Sequence, residues 1–139
     1  ALETAGGIVR ALRQLTDPFW LLAGDVFAPG FAFAPRAVEA FRASGKLAHL
    51  WLVPNPSHNP RGDFALTDDG LARNDGETRL TYSTIGLYRH ALFAPPYCDI
   101  AAGNTAIDRE QVSAQLYTGL WVDVGTPERL AELNNSPLS

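Results

Sequence analysis

The chain has 139 residues, 46% of them hydrophobic, with eleven basic against fifteen acidic residues and a formal charge of −4. Length and apolar content suffice for one packed domain, while scattered arginines on an acidic chain exclude a polyanion the size of DNA as partner. Small anions remain open. Cys98 is the single cysteine, so the sequence offers no intrachain disulfide and no thiolate metal cluster. With no secretory signal and no long apolar span, a reducing cytoplasm is the expected compartment, and no membrane partner is expected.

In chain order, residues 4–15 place Ile8, Leu12 and Leu15 on one helical face and Arg10 and Arg13 elsewhere, predicting a helix from near Gly6. Asp17-Pro18 breaks the pattern, and the apolar run Phe19 to Val26 reads as a fully buried strand. Residues 35–44 form a second helix, with Pro35 suited to its first turn and Gly45 to its end. Leu47 to Val53 is the second strand, followed by a turn-rich loop from Pro54 to Asp63. Phe64 to Leu71, centred on Asp68-Asp69-Gly70, predicts a hairpin, and the β-branched and aromatic alternation of Thr81 to Tyr88 predicts a further strand. Residues 89–118 are the least legible. Leu120 to Val124 is a last strand, after which Thr126 as N-cap and Pro127 at the first helical position open a final helix. Trp20, Trp51 and Trp121 fall in strands and read as packing residues, and His58 as a loop histidine, because no second His or Cys sits at metal spacing.

Two of the apolar runs stop at a single acid, Asp25 and Asp123. In an open α/β sheet, ligands collect beyond the carboxyl ends of the strands, where both acids would sit. Two carboxylates meeting there invite a hard divalent cation such as Mg²⁺, which takes one or two protein carboxylates and completes its shell with phosphate oxygens. This points to phosphate chemistry. The alternative is that Asp25 caps the next turn and that Asp123 is an ordinary loop acid ahead of the Thr126 cap.

Several segments together resemble one family, the sugar-1-phosphate nucleotidyltransferases: Leu2-Glu3-Thr4-Ala5-Gly6-Gly7, Gly24-Asp25-Val26, Val53-Pro54-Asn55-Pro56, His58-Asn59-Pro60-Arg61-Gly62-Asp63-Phe64, Tyr82-Ser83, Ile85-Gly86-Leu87-Tyr88 and Asp123 to Leu130. They look most like the bacterial N-acetylmuramate-1-phosphate uridylyltransferase branch, and the mannose-1-phosphate guanylyltransferase branch shares much of the pattern. The resemblance implies a Rossmann-like three-layer α/β fold, with residues 1–139 as the carboxyl-terminal portion of a single domain lacking its first strands. It also implies formation of a nucleoside diphosphate sugar and pyrophosphate from a nucleoside triphosphate and a sugar 1-phosphate. By the same resemblance, Asp25 and Asp123 are the catalytic, Mg²⁺-binding pair, and Glu3, Asn59, Gly62, Asp63, Ser83 and Gly86 contact the substrate. Asn59 and Asp63 stand in a Pro- and Gly-rich loop where turn formation is the competing role.

The chain departs from the family pattern in three ways. It contains no Gly-x-Gly-x-Arg-type loop to cradle a triphosphate, and Gly6-Gly7 lacks both the preceding strand and the following basic residue. Its only lysine, Lys46, ends a helix rather than standing in a Glu-Lys-Pro segment. Thr84 occupies a position where a small residue, commonly glycine, is expected. The sequence therefore reads as an enzyme fragment without turnover of its own, self-associating through an exposed Phe19 to Val26 edge. A non-catalytic sugar-phosphate binding module is the rival reading. A metal-dependent glycosyltransferase ranks below it, because Asp25 is followed by Val26 and Phe27 rather than by a second acid.

Overall fold

Two runs of alternating side chains build the middle of the molecule. The structure, a computed structural model, describes residues 16–23, 26–93 and 105–123. The predicted helices in 4–15 and after Thr126, together with Glu3, Gly24, Asp25 and Cys98, lie outside the described residues. In chain order the described elements are strands β1 (Phe19–Leu22) and β2 (Val26–Phe27), helix α1 (Pro35–Ser44), strands β3 (Ala48–Val53), β4 (Ala65–Leu66), β5 (Ala72–Arg73) and β6 (Thr81–Tyr88), a 3₁₀ turn (His90–Phe93), the one-turn helix α2 (Thr105–Asp108), and strands β7 (Val112–Leu116) and β8 (Val122–Asp123).

Four strands form the main sheet in the order β1-β6-β3-β7. β6 runs antiparallel to both β1 and β3, and β7 runs parallel to β3. Because side chains alternate across a strand, β3 sends Ala48, Leu50 and Leu52 to one face and Trp51 to the other. The first face packs with Phe19, Tyr88, Val112, Ala114 and the α2 residues Ala106 and Ile107; the second packs Trp51, Ile85 and Leu87 against Phe41 of α1. Leu52, Ile85 and Leu87 are fully buried. His49 ties β3 to β7, its Nδ1 lying 2.7 Å from Ser113 Oγ and its Nε2 2.8 Å from Gln115 Oε1. Burial lowers its pKa, and the Gln115 contact opposes that shift.

Local chemistry sets the ends of α1. Pro35 occupies the first turn, where its missing N–H costs no helical bond, and Gly45 closes the helix in the left-handed conformation at φ 72°. The β4–β5 hairpin turns through Asp68-Asp69-Gly70, where Gly70 N–H donates to Thr67 O over 3.1 Å.

The two runs that end in aspartates differ from their predicted form. Phe19 to Val26 is not one buried strand: β1 stops at Leu22, which is 46% exposed, and β2 belongs to a separate two-stranded ladder with β8. The cause lies in β6. Its pairing with β3 shifts between Leu50↔Gly86 and Leu52↔Tyr82, so Ser83, Thr84 and Ile85 bulge opposite Trp51, with Thr84 at φ 65°. The last β1 pair is Leu22↔Ile85, at the first bulged residue reached from Gly86, and the kink there ends the ladder. The predicted strand Leu120 to Val124 begins only at Val122, half-buried, because the segment preceding it crosses the surface with Leu120 49% exposed; Val124 lies outside the described residues.

Gly86 makes room for a buried tyrosine pair. A Cβ at Gly86 would lie 2.9 Å from Tyr88 Cε2 and 3.1 Å from Tyr82 Oη, while the two hydroxyls hydrogen-bond to each other. Burial pushes the Tyr88 phenol up to about 12, with the Tyr82 hydrogen bond opposing it; burial first and repulsion from Tyr88 second raise Tyr82 as well.

Two outcomes follow. Thr84→Gly relieves a β-branched residue at positive φ, which costs about 1–2 kcal/mol, and is expected to leave a net gain of about 0.5–1 kcal/mol in urea unfolding after the added flexibility of the unfolded chain. A phenol whose folded pKa is raised keeps its stabilising contribution below the unfolded value of 10.0 and loses it as pH climbs toward about 12. Unfolding free energy is therefore expected to fall between pH 10 and 12, and less steeply in Tyr88→Phe; parallel curves for the two proteins would contradict this.

Candidate functional site

A cleft of about 520 Å³ opens between the chain leaving β3 and the chain entering β8. Val53, Pro54, Pro56 and Ser57 form one wall, and Thr118, Gly119, Trp121, Val122 and Asp123 form the other. The parallel β3–β7 pairing creates this opening, since Tyr117 N–H still donates to Leu52 O over 2.7 Å as the chain leaves β7 and both segments then run on from one end of the sheet. Small residues are needed at the turn: a Cβ at Gly119 would strike the Tyr117 ring.

Trp121 is anchored from below. Its indole Nε1–H donates to Ser83 O over 3.0 Å, and Ser83 Oγ accepts from the Ile85 N–H over 3.1 Å. The bulge that ends the β1 ladder thus also aims a carbonyl at the indole and fixes the aromatic wall of the cleft. Ser83 is fully buried, so its connection to the cleft runs through Trp121.

Asp123 ends β8 with its side chain lining the cleft at 26% exposure. The β2–β8 register places Val26, the residue after Asp25 in the sequence, directly opposite Asp123. Asp25 itself, like Glu3, lies outside the described residues. His58 Nε2 lies 3.4 Å from Asp123 Oδ2. Its loop carried no periodicity, and its partner is distant in sequence, so nothing local flagged it. The one hint was its place at the head of the His58 to Phe64 run, which carries part of the family pattern.

The loop from Pro54 to Asp63 is held by its own amides. Asn55 Nδ2 donates to Pro60 O and Arg79 O at 3.2 and 2.8 Å, while Asn55 Oδ1 accepts from Thr81 Oγ1 at 2.8 Å. Asn59 Nδ2 reaches Asp63 Oδ1 at 3.2 Å and Thr81 Oγ1 at 3.1 Å, and Asp63 Oδ2 accepts the Tyr82 N–H at 2.8 Å. The structure therefore brings Asn59 and Asp63 together and ties both to the start of β6. Gly62, at φ 71°, sits against Arg79: a Cβ there would lie 2.6 Å from the Arg79 carbonyl and 2.8 Å from Asn55 Oδ1. Gly86 packs at the tyrosine pair, on the sheet face opposite Trp51.

The backbone at Gly62 makes a specific demand. Gly62→Ala is expected to destabilise the protein by about 1–3 kcal/mol from the positive φ alone, with more from the clash against Arg79, read as a lowered urea midpoint.

No protein-family model matches the chain. It is 42% identical over 148 aligned positions to the N-acetylmuramate alpha-1-phosphate uridylyltransferase of Neisseria meningitidis serogroup B (strain ATCC BAA-335 / MC58), an alignment covering 94% of this chain and 60% of that protein. The chain thus spans about three fifths of that relative's length. Among solved structures, it superimposes on a candidate glucose-1-phosphate thymidylyltransferase from Bacillus anthracis, solved with sucrose, with a TM-score of 0.69 at 17% identity, covering 97% of this chain and 62% of the other. A nucleoside-diphosphate-sugar pyrophosphorylase from Vibrio cholerae RC9 gives a TM-score of 0.64 at 11% identity, covering 97% and 64%. The fold is that of the nucleotidyltransferases, with a central mixed sheet.

Proposed function

Since the chain belongs to the sugar-1-phosphate nucleotidyltransferase family, we propose that it forms the acceptor side of an enzyme making a nucleoside diphosphate sugar and pyrophosphate. The substrates we assign are UTP and N-acetylmuramate 1-phosphate. The choice of sugar and base rests on the Neisseria relative, and the process and place we assign are recycling of a peptidoglycan sugar in the cytoplasm. The observation that carries the reading is the cleft itself, where an acid from β8 meets an aromatic wall and a polar loop.

The donors suit a divalent cation. Asp123 offers carboxylate oxygens at the cleft, and β2, which begins one residue after Asp25, pairs with the strand that bears it. Hard cations prefer such oxygens and need only one or two from the protein. Mg²⁺ held by Asp25 and Asp123 would supply positive charge beside the reacting phosphates and orient them.

A sugar phosphate oxygen attacks the α-phosphorus of the triphosphate. One phosphorus–oxygen bond forms, the bond to the β-phosphate bridging oxygen breaks, and pyrophosphate leaves. The nucleophile is already anionic, so no side chain has to remove a proton, and the protein acts by positioning and electrostatics. Trp121, fixed through Ser83, gives the sugar an apolar wall. The loop carrying Asn59, Gly62 and Asp63, which we assign to the acceptor side, supplies Pro54, Pro56 and Ser57 to the cleft wall, and its internal hydrogen bonds keep it in place before substrate arrives. Glu3 completes the proposed acceptor contacts.

The test is formation of UDP-sugar from UTP, N-acetylmuramate 1-phosphate and Mg²⁺ by the natural gene product that contains these residues. Asp123→Asn is expected to lower turnover about 100-fold or more, since a removed electrostatic stabiliser costs on that scale. Equal turnover by the variant, or a preference for GTP and mannose 1-phosphate, would overturn the corresponding part of the assignment.

A further inference from the structure

We propose that His58 is a positioning residue for Asp123: its imidazole holds the carboxylate in the orientation that binds the divalent cation. The proposal rests on the reading of Asp123 as a metal ligand. The contact is an ion-pair distance of 3.4 Å between His58 Nε2 and Asp123 Oδ2, and because an ionised carboxylate only accepts hydrogen bonds, the donor across it is the imidazole. Ligating carboxylates that are themselves hydrogen-bonded hold a metal in a defined geometry, and loss of such outer partners weakens metal binding about 10–100-fold.

The loop geometry supports this role. Asn59 N–H donates to Pro56 O over 3.0 Å, closing a turn with Ser57 and His58 at its centre. Directly after the turn, the Asn59 side chain is tied to Asp63 and Thr81. His58 is thus presented from an anchored base, although it stands in a loop and its side chain is 37% exposed. On the other side, the residue of β2 opposite Asp123 is the apolar Val26. That backbone neighbour supplies no side-chain group to orient the carboxylate, whereas the imidazole does. The contact also joins the two walls of the cleft, one following β3 and the other entering β8.

The experiment measures Mn²⁺ binding to the natural gene product that contains these residues by water proton relaxation, for the wild type, His58→Ala, His58→Gln and Asp123→Asn. Asp123→Asn is expected to abolish the site. His58→Ala should weaken binding about tenfold or more. His58→Gln, whose amide N–H has comparable reach, should recover most of it. Unchanged affinity in His58→Ala, or a His58→Gln variant no better than alanine, overturns the positioning role while the loss in Asp123→Asn leaves the metal reading standing. If Asp123→Asn binds as the wild type does, both readings fall.

Discussion

The bulge of β6 opposite Trp51 is the constraint on which the rest depends. Two residues more on β6 than on β3 must be accommodated between Gly86 and Tyr82, and the chain absorbs them by placing Thr84 in the left-handed region. Three consequences come from this one irregularity. The β1 ladder ends at Leu22, the following chain turns away to pair with β8, and the Ser83 carbonyl is exposed to the Trp121 indole. A regular β6 would have left neither a ladder end for β1 nor a carbonyl for the tryptophan.

The cleft then follows from strand direction. β3 and β7 run parallel, so their outgoing segments emerge side by side, one as the loop from Pro54 and the other as the stretch toward Asp123. Loop and stretch meet in the His58–Asp123 contact. The loop is not loose: two asparagines, an aspartate and Thr81 satisfy one another and two backbone carbonyls, so the loop that supplies Pro54, Pro56 and Ser57 to the cleft wall is held before any ligand enters. Preorganisation of this kind lowers the entropic cost of binding.

Much of the scaffold was legible in sequence because its signals are local. Proline at the start of a helix and glycine at its end act through their own φ angles, which is why α1 runs from Pro35 with Gly45 as its cap. Thr81–Tyr88 read correctly from side-chain alternation, and the β4–β5 hairpin from its Asp-Asp-Gly centre. The errors share one cause. An apolar run reports burial, yet it does not report which strand it pairs with, so Phe19 to Val26 read as one element although it serves two ladders. The short elements between residues 89 and 118 were illegible because a one-turn helix and a five-residue strand offer too few repeats for a period to show.

The sequence by itself determined the ends of α1, the alternation of the two central strands, and the pattern that marks the family. The first two depend on residues within a few positions of one another. Tertiary structure alone decided that the Ser83 carbonyl meets the Trp121 indole, that Gly86 packs at a pair of tyrosines, and that His58 meets Asp123. Those contacts join residues far apart in the chain, and their distances are set by strand order and the β6 bulge, which no local pattern encodes.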